Sequence, residues 1–345
     1  MKVDQIYSMS SFLQYRFVED ETIVFKEGVV PHRYYPKKKS ERIPVETVDE
    51  LDKAIHHTLD YLDYSKTGLM LSGGIDSAIL AKYVPKGTKV YTLKCIAPGA
   101  IDETEMAKKY AADCGLDVKI VDIYWEDYLK LLPKLIRQMG QPIHSIEPQI
   151  CKAALIAKAD GCENLIFGET ADIIYGGLDG LLSRDWTLKE FMERHNFVNP
   201  TQVLKDGIII MEPYERYLKN GYVDVYSFLN DIHLRQSPAS YVNACSYAGI
   251  NFIAPYAETY LNSELDLEKV RSGNNKYIVR ELFARLYPDF GQPRKVPLPR
   301  ALSIWLKDYR KPTNKAFIEE CTKDMTPDQK WYIMSLDCFL NENGI

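Results

Sequence analysis

The chain has 345 residues, of which 46% are hydrophobic and 26% are charged, and its net charge is −5 with a pI of about 5.8. This length suffices for one large domain or two ordinary ones. The acidic balance excludes an overall positive field that would attract nucleic acid or an anionic membrane. We therefore expect a soluble globular protein that binds neither nucleic acid nor a membrane.

The cysteines and the apolar runs of the sequence indicate the cellular compartment of the protein. The seven cysteines are scattered and no Cys-x-x-Cys pair occurs, so neither a disulfide framework nor a structural zinc site is indicated. Reduced thiols are typical of cytoplasmic proteins. The sequence shows no apolar signal region at its start and no run of about 18 apolar residues that could span a membrane. The predicted location is the cytoplasm.

Residues 1–46 predict a short β-rich N-terminal extension that ends in a linker. Residues 12–18 and 21–25 are apolar runs of strand length, and the polar linker contains Pro44. Residues 47–62 then predict a helix, because the apolar residues recur on one face and Thr47 can cap the helix start.

From residue 68 the pattern alternates between strands and helices. The predicted strands are 68–71, 90–95, 117–123 and 164–167, and the predicted helices include 102–114, 125–139 and 149–159. This alternation indicates an α/β fold, a parallel sheet with helices on both faces. Residues 47–180 would form this core. Residues 181–345, where helical patterns dominate, would form a C-terminal half that completes the cleft.

The turn after strand 68–71 has the composition of an anion site. It reads Ser72, Gly73, Gly74, Ile75, Asp76 and Ser77. The glycines are expected to take positive φ and to let the backbone approach a ligand closely. The serine hydroxyls and the free N–H groups of the helix start would face that ligand, which predicts a phosphate site. The chain contains neither of the commoner glycine-rich phosphate motifs.

A pair of acids follows strand 164–167. Glu169 and Asp172 are three residues apart, which at a helix start places both carboxylates on one face. Such a pair facing a bound triphosphate can hold Mg²⁺, although acids also favour helix starts for capping alone. Ligands of parallel sheets bind at the carboxyl ends of the strands, where Ser72, Cys95 and Gly168 fall.

These two segments resemble a known family. Residues 72–77 resemble the pyrophosphate loop of the N-type ATP pyrophosphatases, which include asparagine synthetases, β-lactam synthetases, NAD synthetases and RNA thiolases. Residues 168–177 resemble the second signature of the asparagine synthetase ATP domain. Further resemblances are Asp102-Glu103, the Lys276-x-x-x-Arg280 helix and the basic pair Arg294-Lys295. The resemblance covers about residues 45–310 and implies an adenine nucleotide alpha-hydrolase-like (PP-loop) fold.

The resemblance also implies a reaction. ATP would activate a carboxylic acid as an acyl-adenylate with release of pyrophosphate, and ammonia or an amine would then displace AMP. The implied cofactors are ATP and Mg²⁺. Lys276 and Glu169 would be catalytic, Glu169 as a ligand or as the base that deprotonates the amine. Asp76, Asp172 and Glu169 would bind the metal. The predicted contacts of ATP and pyrophosphate are Leu71, Ser72, Gly73, Gly74, Asp76, Ser77, Cys95, Gly168, Arg294 and Lys295.

Departures from the family pattern concern the substrates. The glutaminase domain of full-length relatives is expected to be missing, although residues 8–35 resemble the segment that follows it. The nitrogen source would then be ammonia, an amine or a separate glutaminase or biosynthetic partner protein. Positions that carry charges in relatives are neutral here, namely Gln141, Val242, Asn243, Asn251 and Ile253. They argue against aspartate as the acid, and 24 tyrosines allow a larger, partly aromatic pocket.

Two other functions remain as alternatives. The first is ATP-dependent sulfur transfer, for which Cys95 is the thiol nearest the expected site. The second is non-catalytic nucleotide binding in a sensing protein. Mere binding does not need the combination of Asp76, Glu169, Asp172 and Lys276, so the amide ligase is the leading interpretation.

Overall fold

The computed structural model describes residues 1–291 and 300–345. Its α-helices are α1 (Gln5–Tyr15), α2 (Val48–Leu59), α3 (Ile75–Ala81), α4 (Thr104–Cys114), α5 (Trp125–Met139), α6 (Glu147–Ala159), α7 (Ala171–Ile174), α8 (Asp179–Leu182), α9 (Leu188–His195), α10 (Pro200–Val203), α11 (Glu212–Glu215), α12 (Val225–Phe228), α13 (Leu234–Ala248), α14 (Leu267–Arg271), α15 (Tyr277–Leu286), α16 (Leu302–Trp305) and α17 (Pro327–Asn343). Its strands are β1 (Lys2–Val3), β2 (Ile23–Val24), β3 (Ile43–Val45), β4 (Thr67–Met70), β5 (Lys89–Cys95), β6 (Val118–Ile123), β7 (Asn164–Ile166), β8 (Leu218–Lys219), β9 (Tyr222–Val223), β10 (Asn251–Ile253) and β11 (Thr259–Leu261).

The central sheet has five parallel strands in the order β10-β7-β4-β5-β6. The loop after β4 and the turn after β7 therefore lie side by side at the carboxyl edge of the sheet, where parallel sheets bind their ligands. This arrangement confirms the predicted α/β fold. The fifth strand, β10, was not predicted, and it comes from beyond residue 180. The division of the chain at residues 46 and 180 stays a prediction.

Helices cover both faces of the sheet because neighbouring strand residues point to opposite sides. Leu69 packs in one hydrophobic core with α2, α3 and α15, whereas Met70 packs in the other with α5, α6 and α17. The middle strand β4 is buried along its whole length, whereas the edge strand β6 has exposed residues, among them Lys119 and Asp122. The buried centre of the sheet is a rigid base for the loops at its edge.

Local signals in the core elements act as expected. Thr47 accepts a hydrogen bond from the Glu50 N–H and caps α2. Asp102 Oδ1 accepts from the Thr104 N–H at 2.9 Å, and α4 ends at Gly115 with a φ of 66°. A left-handed residue at a helix end favours glycine, which has no Cβ to clash.

The N-terminal extension differs from its β-rich prediction. Residues 12–18 were expected to form a strand, but residues up to Tyr15 belong to α1, and β1 and β2 contain two residues each. Helix α1 is buried along its whole second half, from Ser8 to Tyr15. Its polar side chains, among them Ser8, Ser11 and Gln14, are buried like the apolar ones, so α1 presents no solvent-exposed polar face there.

The C-terminal half is mainly helical, as predicted. Its strands are the hairpin β8–β9, the edge strand β10, and β11, which pairs with β3 of the N-terminal extension. Residues 277–286 form α15, the helix that follows Lys276.

Candidate active site

The serine–glycine loop connects β4 to α3 and is held together by its two serines. The Ser72 N–H donates to Ser77 Oγ at 3.0 Å, and the Gly74 N–H donates to Ser72 Oγ at 3.1 Å. The two hydroxyl oxygens lie 2.9 Å apart. The loop thus keeps two hydroxyls and the start of α3 on the same side. The phosphate site at this loop stays a prediction, since the N–H groups of Ser72, Gly73 and Gly74 donate within the protein.

The predicted positive φ of the loop glycines is wrong. Neither Gly73 nor Gly74 is among the described residues with positive φ, and Gly74 has a φ of −88°. A side chain is disfavoured at these two positions because little space is left for a Cβ. A Cβ on Gly73 would lie 3.3 Å from Glu103 Cβ, and one on Gly74 would lie 3.3 Å from Ser72 Oγ.

Glu103 lies against this loop. Its carboxyl group accepts a hydrogen bond from the Gly73 N–H, and burial raises its pKa to about 7 despite that bond. Sequence reasoning named Glu103 only through the Asp-Glu resemblance and gave it no role.

The acidic turn after β7 differs in detail from its prediction. Helix α7 begins at Ala171, after Thr170 in the left-handed conformation, so Glu169 precedes the helix and does not share a helical face with Asp172. Glu169 accepts from Ser237 Oγ at 2.6 Å and from the Tyr241 hydroxyl. Burial raises the pKa of Glu169, and the nearby charge of Asp172 acts in the same direction.

Lys276 joins the loop to the acidic turn. Its Nζ lies 2.8 Å from Oδ1 and Oδ2 of Asp76 and 2.9 Å from Oδ1 of Asp172. The residue is 4% exposed and has a φ of 50°. Burial favours the neutral amine, but the two carboxylates outweigh this effect and raise the pKa of Lys276. The ammonium is therefore a fixed positive charge.

Two adjoining chambers open at these residues. The loop chamber has a volume of about 190 Å³, and its walls include Leu71, Ser72, Asp76, Ser77, Glu103 and Tyr241. The wide chamber has a volume of about 650 Å³, and its walls include Arg16, His144, Arg194, His195, Phe197 and Ser237. Gly168, Glu169 and Asp172 line both chambers. The acidic turn therefore stands at their junction.

Gly168 allows the junction to be close-packed. A Cβ at this position would lie 2.8 Å from the Ser77 N–H nitrogen and 3.0 Å from Asp76 Cβ. Only glycine brings the acidic turn this near to the serine–glycine loop.

Cys95 does not belong to either chamber among the described wall residues. It is buried at the end of β5, its Sγ lies 3.7 Å from Gln149 Oε1, and burial raises the pKa of its thiol. Arg294 and Lys295 lie outside the described residues.

A buried pair of histidines in the wide chamber was missed by sequence reasoning. His195 Nε2 lies 2.8 Å from His233 Nε2, and His195 Nδ1 lies 3.0 Å from the Tyr214 hydroxyl. Burial lowers the pKa of His195 and lowers that of His233 to about 3. Both rings are neutral at physiological pH. They lie 38 residues apart and carry no motif that could have indicated them.

Within residues 1–291 and 300–345, no three His, Cys, Asp or Glu side chains form a ready metal cluster. In the same ranges, no helix has both the length and the apolar character needed to cross a bilayer.

Comparisons with solved structures found low-identity neighbours. A U34-tRNA thiolase from Methanococcus maripaludis is 16% identical, covering 72% of this chain and 82% of that one, with a TM-score of 0.29. An NH3-dependent NAD synthetase from Campylobacter jejuni is 17% identical, covering 59% and 94%, with a TM-score of 0.25. An NMN synthetase from Francisella tularensis is 11% identical, covering 72% and 96%, with a TM-score of 0.27. A comparison with curated proteins gave no match.

The sequence model of the family described as asparagine synthase matches residues 48–249. This range is more than half of the chain and contains both the serine–glycine loop and the acidic turn. The chain therefore belongs to the asparagine synthase family of ATP-using PP-loop enzymes.

Proposed function

We propose that the protein is an ATP-dependent ligase that adenylates a carboxylic acid and transfers the acyl group to ammonia or an amine. One observation carries this proposal. The Lys276 ammonium binds Asp76 of the loop and Asp172 of the acidic turn at once. A nucleotide binder without chemistry has no need of such a buried cation between two acidic segments.

The residues present fit ATP and Mg²⁺. The loop supplies the Ser72 and Ser77 hydroxyls, whose oxygens lie 2.9 Å apart, and Gly168 leaves space where a Cβ would close the junction. Asp76 and Asp172 hold the Lys276 ammonium between them, which supports a preference of this spot for positive charge. They are the residues that would bind Mg²⁺, with Glu169 as a further candidate, and the metal would offset phosphate charge.

The side chains of the protein have separate roles in this reaction. The Ser72 and Ser77 hydroxyls bind pyrophosphate as an oxygen of the acid attacks the α-phosphorus and the bond to pyrophosphate breaks. Lys276 stabilises the negative charge that develops there. Glu169, at the junction of the chambers, accepts a proton from the amine that attacks the acyl carbon and displaces AMP.

The test is exchange of labelled pyrophosphate into ATP in the presence of a panel of carboxylic acids. We expect exchange that requires both Mg²⁺ and an acid, and we expect Asp172→Asn to abolish it. Asp113→Asn is the matched control, because Asp113 also pairs with a lysine, Lys82, but at the surface. Tight ATP binding without exchange for any acid would refute the ligase and favour the sensing alternative.

Sulfur transfer makes a different prediction for Cys95. A thiol whose pKa is raised by burial is a poor nucleophile, because the thiolate is the reactive form. We therefore expect Cys95→Ser to retain acid-dependent exchange. Loss of turnover in that variant, with its folding intact, would favour sulfur transfer instead. Ammonia and amines are distinguished by which of them promotes the release of AMP, and a separate glutaminase would act by supplying ammonia from glutamine.

A further inference from the structure

Arg16 lines the wide chamber, and no acidic side chain among the described residues pairs with it. It directly follows α1, and its guanidinium carbon lies 4.5 Å from the centre of the Phe197 ring. In the described part of the chain, this guanidinium forms no ion pair with Glu169, Asp172 or Glu193, the acids that line the same chamber. It also donates no hydrogen bond to any described group.

Other arginines near the N-terminal extension are paired. Arg235 lies 2.8 Å from Glu19 Oε1, and Arg216 lies 3.1 Å from the same atom. Arg33 donates to the carbonyl oxygen of Val18 at 2.7 Å. Leaving a half-buried guanidinium unpaired has a free-energy cost that these neighbours avoid.

The chamber offers Arg16 no countercharge from its histidines. Burial lowers the pKa of His144, His195 and His233, and the charge of Arg16 acts in the same direction on each of them. The three histidines therefore form a neutral, polar part of the chamber wall. The negative charges of the junction and the positive charge of Arg16 occupy different parts of one cavity.

The backbone at Arg16 is also under constraint. Its φ is 70°, a left-handed conformation that a helix end ordinarily gives to glycine or asparagine. Among the described non-glycine residues, Thr170 and Lys276 at the candidate active site share this conformation, as do Asn220 and Glu320 elsewhere.

We infer that Arg16 binds a second anionic group of the acid substrate, remote from the carboxylate that is adenylated. This inference rests on the proposed function and adds the substrate class, an acid with two anionic ends. The activated carboxylate would lie at the junction, beside Glu169 and Asp172, and the remote group would reach Arg16. A volume of about 650 Å³ accommodates acids longer than aspartate. Arg16 lies outside the matched family range of 48–249.

The test compares acids of equal length in the pyrophosphate exchange assay: adipate with hexanoate, glutarate with valerate, and terephthalate with benzoate. For the wild type we expect kcat/KM to favour the diacid of a pair by at least about tenfold, equivalent to about 1.4 kcal/mol. Arg16→Gln should remove this preference by raising KM for the diacid while kcat changes little. Arg16→Lys should keep part of it. Arg137→Gln, a change of an exposed arginine on α5, should leave it intact.

Several outcomes would overturn the inference. The first is a wild type that does not prefer diacids, and the second is an Arg16→Gln variant that keeps the preference. The third is an Arg16→Gln variant whose exchange activity falls equally with monoacids and diacids, which would indicate a structural role. If no acid supports exchange, the proposed function fails separately. Calorimetric binding of the same acid pairs to protein loaded with α,β-methylene-ATP then decides. Diacid binding that depends on Arg16 supports the anion site, and its absence refutes it.

Discussion

Lys276 and Asp76 are 200 residues apart in sequence, yet the lysine Nζ lies 2.8 Å from both carboxylate oxygens of the aspartate. The same ammonium binds Asp172 on the neighbouring turn. Because Lys276 is buried, this contact joins the start of α15 in the helical half to the edge of the sheet by charge as well as by packing.

Replacing Lys276 by methionine tests this contact. We expect pyrophosphate exchange to fall about 100- to 1,000-fold, because the cation that stabilises developing charge is lost. The free energy of unfolding should fall by about 3–5 kcal/mol, since two carboxylates lose their shared partner. Lys82→Met removes an ion pair near the surface and should cost below about 1 kcal/mol without loss of activity. Full activity of the Lys276 variant would contradict the proposed role.

Glu169→Gln tests the proposed base. A general base must be ionised, and burial raises the pKa of Glu169, so the rate of amide formation should rise with pH through a pKa above that of an ordinary glutamate. In the glutamine variant, the rate of amide formation should no longer rise with pH in this range and should be lower by about 10²- to 10⁴-fold. The measurement is the pH dependence of AMP release with a saturating amine. Glu193→Gln, on the exposed side of the wide chamber, should keep the wild-type profile, and an unchanged profile for Glu169→Gln would exclude it as the base.

Gly177→Ala tests the tight packing behind the acidic turn. A Cβ at this position would overlap Asp172 Oδ1 and lie 2.7 Å from Lys276 Cδ. Both charged side chains must then move, and we expect exchange activity to fall at least tenfold and stability to fall by about 1–3 kcal/mol. Gly180→Ala is the control. Its new Cβ would meet only the flexible end of Arg194, at 3.2 Å, and stability should stay within about 0.5 kcal/mol. Equal behaviour of the two variants would disprove the packing argument.

Glu147→Gln tests a buried acid beneath the wide chamber. The side chain accepts hydrogen bonds from the His144 N–H and from Asn243 Nδ2, and burial raises its pKa from about 4.5 to about 8. A folded-state pKa above the unfolded one means that stability is lost as pH rises, here from about 4.5 to about 8. At roughly 1.4 kcal/mol per pKa unit, the loss is on the order of 4–5 kcal/mol.

Urea unfolding at several pH values measures this effect. Glutamine resembles the protonated acid and cannot ionise, so the variant should match the wild type near pH 4.5 and exceed it increasingly toward pH 8. The exposed Glu105→Gln should show no such trend. A pH-independent difference between Glu147→Gln and the wild type would count against a raised pKa.

Much of the core could be predicted from local pattern. The predicted helix 125–139 coincides with α5, and the predicted strand 90–95 differs from β5 by one residue. Both segments combine clear periodicity with end signals that act within a few residues. Helix α1 was mistaken for a strand because its polar residues, among them Ser11 and Gln14, are buried and do not mark a solvent-facing side. The edge strand β10 has only three residues.

The site could be predicted only in its local motifs. The loop Ser72–Ser77 and the acidic turn are each formed by one continuous stretch of sequence, so the residue types in each stretch indicate its chemistry. The pairing of Glu169 with Ser237 spans 68 residues, and no periodicity encodes such a contact. Arg16 carried no signal either, because its lack of a partner is a property of the folded chain alone.

The long separation between Asp76 and Lys276 has a consequence for synthesis. At roughly 5–20 residues per second, a ribosome needs about 10–40 s to make the intervening 200 residues. Asp76 lacks this counter-ion for the whole of that interval, and Asp172 lacks it from its own translation onward. The site that handles nucleotide is thus among the last features of the molecule to acquire its charge balance, and a chain released before residue 276 would never acquire it.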